Sequence, residues 1–193
     1  MSTAARQLLA RPERQASILR GAASAFSHSG FAATSMDDVA AACGVTKLIV
    51  YRHFESKEEL YRTILERVFH RMAEELDAGL RQTTLRGVGA RTLLTVARED
   101  PDGFVLLWRH AAREPQFADY AHDQRALAAS AVRELMSLKS GDEVMDHWSA
   151  EATFGWLVEA VMTWLEVGDA HRDEEFVERA TDALRAMRAA WTG

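Results

Sequence analysis

The stretch Thr34–Leu60, TSMDDVAAACGVTKLIVYRHFESKEEL, decides how the rest of the chain is read. It predicts two short helices separated by Cys43-Gly44-Val45, then a longer helix with its own capping signal: a helix-turn-helix with a buttress. Ser35 is a preferred N-cap residue and Asp38 stands three residues on, in the capping-box position. Val39 and Ala40 supply the small apolar face of a helix of about two turns. Gly44 takes the corner where a side chain would be strained, and Val45 turns inward to pin it. Thr46 can cap the second helix, which puts Lys47, Leu48 and Ile49 in its first turn, where a recognition helix meets base edges.

Val50 and Phe54 stand at i and i+4 with Val45 leading into them, giving one buried stripe. The opposite side carries Lys47, Leu48, Tyr51 and Arg52. Lysine, arginine and a tyrosine hydroxyl suit phosphate oxygens, whereas Leu48 suits a thymine methyl or a groove wall. Ser56 with Glu59 forms a second capping box. Lys57 then opens the long helix, where its ammonium and the free N–H groups both favour a phosphate.

Preceded by Gly30-Phe31, the pattern T-S-M-x-x-V-A-x-x-C-G-V-T-K-x-x-V-Y-R-H-F-x-S-K-E-E-L closely resembles the N-terminal domain of TetR-family transcriptional regulators, over roughly the first third of the chain. The resemblance implies double-stranded DNA as partner, with Ser35, Tyr51, His53 and Lys57 facing phosphates and Lys47, Leu48 and Ile49 facing bases. Thr46 and Arg52 complete the expected DNA-binding set. The sequence departs from the family pattern twice: Cys43 stands where alanine is usual, and Leu48-Ile49 is more apolar than the common small or hydroxylated pair.

Composition sets the frame for this motif. With 193 residues, 48% hydrophobic and 27% charged, the chain can bury a substantial core. No apolar run reaches the ~20 residues a membrane span needs, and the first residues lack a signal-peptide core, so a cytoplasmic protein with no membrane partner is expected. The single cysteine excludes an internal disulfide framework. Net charge is −6, yet residues 1–57 carry seven Lys/Arg against four acids, leaving +3 there and −9 in the remainder. A polyanion is therefore matched by the N-terminal part, with the acidic part held away from it.

In chain order, Met1 to Arg11 reads as a mobile arm whose Arg6 and Arg11 could reach a minor groove. Pro12 begins a first helix that buries Ile18, Ala22, Ala25 and Phe26 and ends at Gly30. The helix after Ser56 runs through Leu60, Ile64, Val68, Met72 and Leu76, about five to six turns at 3.6 residues per turn, until Gly79. Gly87-Val88-Gly89 loosens the next connection. Helices follow over about 90–98, 102–113, 116–138, 144–167 and 173–191. The expected architecture is all-α: a three-helix DNA-binding domain over 1–57 and a larger helical effector-binding and dimerisation domain over 58–193.

The segment from Phe154 to Leu165 is apolar nearly all round and must be covered on two sides. The last helix adds a broad apolar face. A homodimer interface built on Trp156, Ala160, Trp164, Val177, Leu184 and Met187 follows, and two-fold symmetry then predicts a palindromic site. The resemblance implies the same interface, a four-helix one from the last two helices. Phe104, Trp108, His110, Tyr120, His147 and Trp148 form the candidate pocket for a small apolar or aromatic effector, against the plain reading of aromatic core packing.

No phosphate loop, nucleophile elbow or H-E-x-x-H motif is present, so no enzyme and no cofactor are expected. Glu66 with His70 and Glu143 with His147 have metal-compatible spacing but read as surface pairs. The alternative of another class is a helical cofactor- or metal-binding bundle with a degenerate helix-turn-helix. The favoured reading is a homodimeric transcriptional regulator, on family precedent a repressor, modulated by a small effector.

Overall fold

A computed structural model describes residues 11–192. Among these residues there are nine α-helices and no strand. The chain divides into two compact units, the first running to Ile64 and the second from Leu65. Arg11 begins the first helix rather than belonging to an arm; Arg6 and the rest of the expected arm lie outside the described residues.

In the first unit α1 (Arg11–Ser29), α2 (Met36–Ala42) and α3 (Lys47–Tyr51) are followed by the opening turns of α4 (Lys57–Leu80). Gly30 and Gly44 both take positive φ, +80° and +63°, where a Cβ would be strained, and they close the ends of α1 and α2. Ile18, Ala22, Phe26, Val39, Val50, Phe54, Tyr61 and Ile64 are buried. Phe26, Phe31 and Tyr61 form the centre, each of the two phenylalanines 5.1 Å from the tyrosine ring and edge-on to it. Such edge contacts add to the burial of each ring, and losing one ring would cost about 3–5 kcal/mol. Thr34, itself buried, donates its hydroxyl to the Gly30 carbonyl at 2.7 Å and ties the α1–α2 link.

The second unit holds the rest of α4, then α5 (Val88–Glu99), α6 (Pro101–Val105), α7 (Ala118–Leu135), α8 (Glu143–Val167) and α9 (Asp173–Thr192). Where one helix was expected over 102–113, α6 gives way to a π-helical segment, Leu106–His110, and a 3₁₀ turn, Ala111–Arg113. Asp100 fixes the start of α6: its carboxylate accepts the Gly103 N–H at 3.1 Å and pairs with Arg67 of α4. A Cβ on Gly103 would strike both Asp100 and Val68, so glycine is needed for that approach. Gly79 lies within the last turn of α4 rather than after it. Gly87 alone of the expected Gly-Val-Gly link precedes α5, in a left-handed conformation.

α8 buries Ala150, Phe154, Leu157, Val158 and Val161, all nearly inaccessible. α9 is anchored at its N-terminus by Asp173, whose carboxylate accepts from Arg98 of α5 at 2.8 and 3.0 Å and from the Trp164 indole of α8 at 2.7 Å. These charge-assisted bonds hold the Asp173 carboxyl below the usual carboxylate range, the Arg98 bonds contributing most.

Candidate functional site

The helix-turn-helix is built by local bonds. Ser35 Oγ accepts the Asp38 N–H at 3.2 Å and Asp38 returns the bond to the Ser35 N–H at 2.9 Å, the full capping box. The Ser35 hydroxyl also donates to the Asp38 carboxylate at 2.7 Å, and this bond first, then the one from the Ser35 N–H, lowers the Asp38 pKa. Thr46 is the N-cap of α3, but its side chain makes no capping hydrogen bond. At α4 the box is half formed: Ser56 Oγ accepts the Glu59 N–H at 3.0 Å, while the Glu59 carboxylate reaches the Glu55 N–H instead of that of Ser56.

One face of α3 is fixed inside by Val50, fully buried, with Phe54 just beyond at 2% exposure. The other presents Lys47, Leu48, Tyr51 and Arg52 to solvent, with Leu48 63% and Tyr51 45% exposed. Thr46 and Ser35 are exposed as well, and Ile49 and His53 are half-buried. Lys47 Nζ bonds Asp37 at 2.7 Å, which raises its pKa, and lies 6.0 Å from the Tyr51 ring. Burial lowers the His53 pKa, helped by the charges of Arg11 and Arg14.

Lys57 stands apart from that surface in its contacts. Its ammonium donates to the Phe31 carbonyl at 2.8 Å and sits 4.3 Å from the Phe31 ring centre. One of its three donors is thus used inside the domain, a tertiary bond that spacing along the sequence does not signal.

Cys43 is half-buried against α1, its Sγ 3.5 Å from the Ile18 carbonyl oxygen, and burial raises its thiol pKa. The cysteine has room because Gly21 faces it: a Cβ at Gly21 would lie 2.6 Å from Sγ.

The second unit holds a partly open apolar cavity of about 220 Å³. Its wall includes Phe69, Met72 and Leu76 of α4, Leu93 of α5, Leu127, Ala128, Ala131, Val132 and Leu135 of α7, and Phe154 and Leu157 of α8. None of the six residues expected to line a pocket is among them. Phe104 is fully buried, and Trp148 is 49% exposed with its ring 5.2 Å from Trp191. His147 is exposed, Tyr120 half-buried. His110, half-buried, has its pKa lowered first by burial and then by Arg113 and Arg109. Trp108 lies directly behind the wall, 4.9 Å from the Phe154 ring and 6.4 Å from that of Phe69. The α7 lining was missed because alanine and valine read as ordinary packing. The signal was there: 127, 131 and 135 with 128 and 132 make an i, i+4 stripe that a helix presents to one side.

Of the residues expected at a dimer interface, Trp156, Ala160 and Trp164 line an open groove on α8 together with Phe176, which stacks on Trp164 at 5.3 Å. Leu184 and Met187 are half-buried on α9, whereas Val177 is buried within the unit, beside Gly87. Among the described residues no three His, Cys, Asp or Glu side chains come together as metal ligands, and His70 pairs with Glu74 at 3.1 Å. No helix among them is long and apolar enough to cross a membrane.

Residues 18–64 match the family described as bacterial regulatory proteins, tetR family. The HTH-type transcriptional activator FasR of Mycolicibacterium smegmatis is 32% identical over 141 residues, covering 70% of this chain and 64% of FasR, so the chain spans about two thirds of that relative at most. A TetR-like transcriptional regulator from Rhodococcus sp. RHA1 shares the fold at a TM-score of 0.74, with 22% identity over 94% of this chain and 96% of that one. AibR, crystallised with isovaleryl coenzyme A and operator DNA, superposes at a TM-score of 0.66 with 18% identity, covering 89% and 97% of the two chains.

Proposed function

We infer, from the premise that this chain belongs to the tetR family of bacterial regulatory proteins, that it is a homodimeric DNA-binding transcriptional regulator whose operator occupancy responds to a small molecule. The observation that carries the reading is the solvent face of α3. Leu48 and Tyr51 are exposed beside Lys47 and Arg52 on a helix whose other side is anchored by Val50. An exposed leucine and tyrosine flanked by cations, on the second helix of a helix-turn-helix, suit a major groove.

In this reading Lys47, Leu48 and Ile49 face bases, while Ser35, Thr46, Tyr51, Arg52 and His53 contact the backbone. Lys57 contributes through its remaining donors and by holding Phe31. The open groove at Trp156, Ala160 and Trp164 is covered by the same surface of a second subunit, with Leu184 and Met187. The effector enters the cavity of the second unit. Because α4 supplies residues to both units, an effector that prefers one position of α4 shifts the population of DNA-competent dimers. Coupling of about 1–3 kcal/mol changes affinity some 5- to 150-fold. Bound across a promoter in the cytoplasm, the dimer acts as a repressor.

The test is footprinting of the DNA flanking the coding region, with transcription from that promoter measured in parallel. A protected palindrome, and transcription that rises when the protein is removed, support the reading; falling transcription would make it an activator, as FasR is named. No protected sequence anywhere in that DNA, with binding equal to that of unrelated DNA, would count against it. Lys47→Ala should change sequence preference, whereas Tyr51→Phe should weaken all sequences alike.

A further inference from the structure

A cavity of about 220 Å³ is unusual in a packed protein, where voids larger than a water molecule are few and each lowers stability in proportion to its volume. Small side chains leave this space. Ala73 of α4, Gly89 of α5, and Ala128 and Ala131 of α7 line it beside Phe69 and Phe154. Leu127 and Leu135, also in the wall, are 58% and 37% exposed, so apolar surface is left uncovered along α7.

The chemistry of the wall is uniform. Thr92 is the only lining residue with a polar side chain, and none of the lining residues is titratable. Arg86 and Arg185 line a neighbouring cavity instead, and both face Asp182, at 3.0 and 3.9 Å. A charged group placed against Phe69, Leu93 and Phe154 would lose hydration and meet no counter-ion. Hydrocarbon gains from the same transfer, and a wall so poor in polar groups holds water weakly.

Resting on the reading of this cavity as the effector site, we propose that it takes a neutral hydrocarbon of about eight carbons, held by burial alone with no polar anchor. A void of about 150 Å³ accepts benzene, and the same share per carbon gives roughly eight or nine carbons for this one. Phe69, Met72 and Leu76 form the α4 side of the wall, so the ligand rests on the helix that Lys57 opens. Because no charge takes part, binding carries a negative heat-capacity change and depends little on salt.

The experiment titrates the full-length protein by calorimetry with ethylbenzene, phenylacetate and 2-phenylethylammonium, ligands of equal carbon count that differ in charge, while its DNA binding is followed separately. Ethylbenzene should bind at least tenfold tighter than either ion, with an affinity that salt leaves unchanged. Ala131→Leu fills part of the space and leaves room for about six carbons, so it should keep benzene binding while weakening ethylbenzene at least tenfold. Ala128→Leu repeats the test at a second position, and loss of benzene in both variants at an unchanged melting temperature would overturn the proposed size. Either ion binding as tightly as ethylbenzene would overturn the proposal, as would full ethylbenzene affinity in both variants. No ethylbenzene binding by a protein that still recognises its operator would overturn the proposal and spare the regulator reading. Binding as expected by a protein that recognises no DNA would support it and sink that reading.

Discussion

At the scale of single residues, the contact between Gly21 and Cys43 links α1 to the turn of the helix-turn-helix. Glycine inside a helix costs about 0.5–1 kcal/mol relative to alanine, so Gly21→Ala would stabilise α1 if nothing faced it. Here a Cβ would meet Cys43 Sγ at 2.6 Å. The expected result is destabilisation of about 1–3 kcal/mol for Gly21→Ala in urea unfolding, largely restored when Cys43→Ala is added. Additive effects of the two changes would show that the contact is not the cause. His53 gives a second prediction. Its lowered pKa keeps the ring neutral near pH 7 in the free protein, and a phosphate beside it would raise that pKa, so binding takes up a proton. DNA affinity should rise as pH falls from 8 towards 6, and His53→Gln should flatten the profile; an unchanged profile would remove His53 from the phosphate set. The caps at Ser35 and the stripe Val50–Phe54 were legible in the sequence because they are local. The Lys57–Phe31 bond and the Gly21–Cys43 fit were not, since each joins residues more than twenty positions apart.

At the scale of elements, Asp173 joins three helices through Arg98 and the Trp164 indole, with the Arg98 and Asp173 side chains under a third exposed. Asp173→Ala should cost about 2 kcal/mol and lower the melting temperature by roughly 4–8 °C. The sign of the pH dependence follows from the depressed pKa. The contribution is complete above the unfolded carboxylate value, about 3.9, and disappears as pH falls through the lower folded value, so wild type and variant should converge in acid. A constant difference in melting temperature across that range would rule out the ion pair as the source. The helices themselves were largely legible, from α4 to α9, because apolar periodicity and proline or glycine punctuation are written along the chain. The break at Leu106–His110 was not. Trp108, within that segment, packs against Phe69 and Phe154, residues about forty positions away on either side that no local pattern connects. The cavity escaped for the same reason: aromatic residues drew attention to Phe104 and Trp148, while the space lies beside the small residues of α7.

For the whole molecule, the charge division read from the sequence has a direct consequence. A unit with a net positive N-terminal part and a strongly acidic remainder should bind DNA through α3 and its neighbours, with affinity falling steeply with salt. Dimerisation fixes what is bound. In the proposed dimer, two copies of α3 related by a two-fold axis would read two half-sites, and their centres should lie about one helical turn, roughly 34–36 Å, or a multiple of it, apart. The most direct measurement is selection of binding sites from random double-stranded DNA by the purified full-length protein, with the mass of the selected complex determined in solution. The account predicts enrichment of one palindrome, bound by an even number of 21.5 kDa subunits, with Lys47→Ala shifting the enriched half-site. Enrichment of no sequence after repeated rounds, or of a single non-repeated site bound by one subunit, would contradict it.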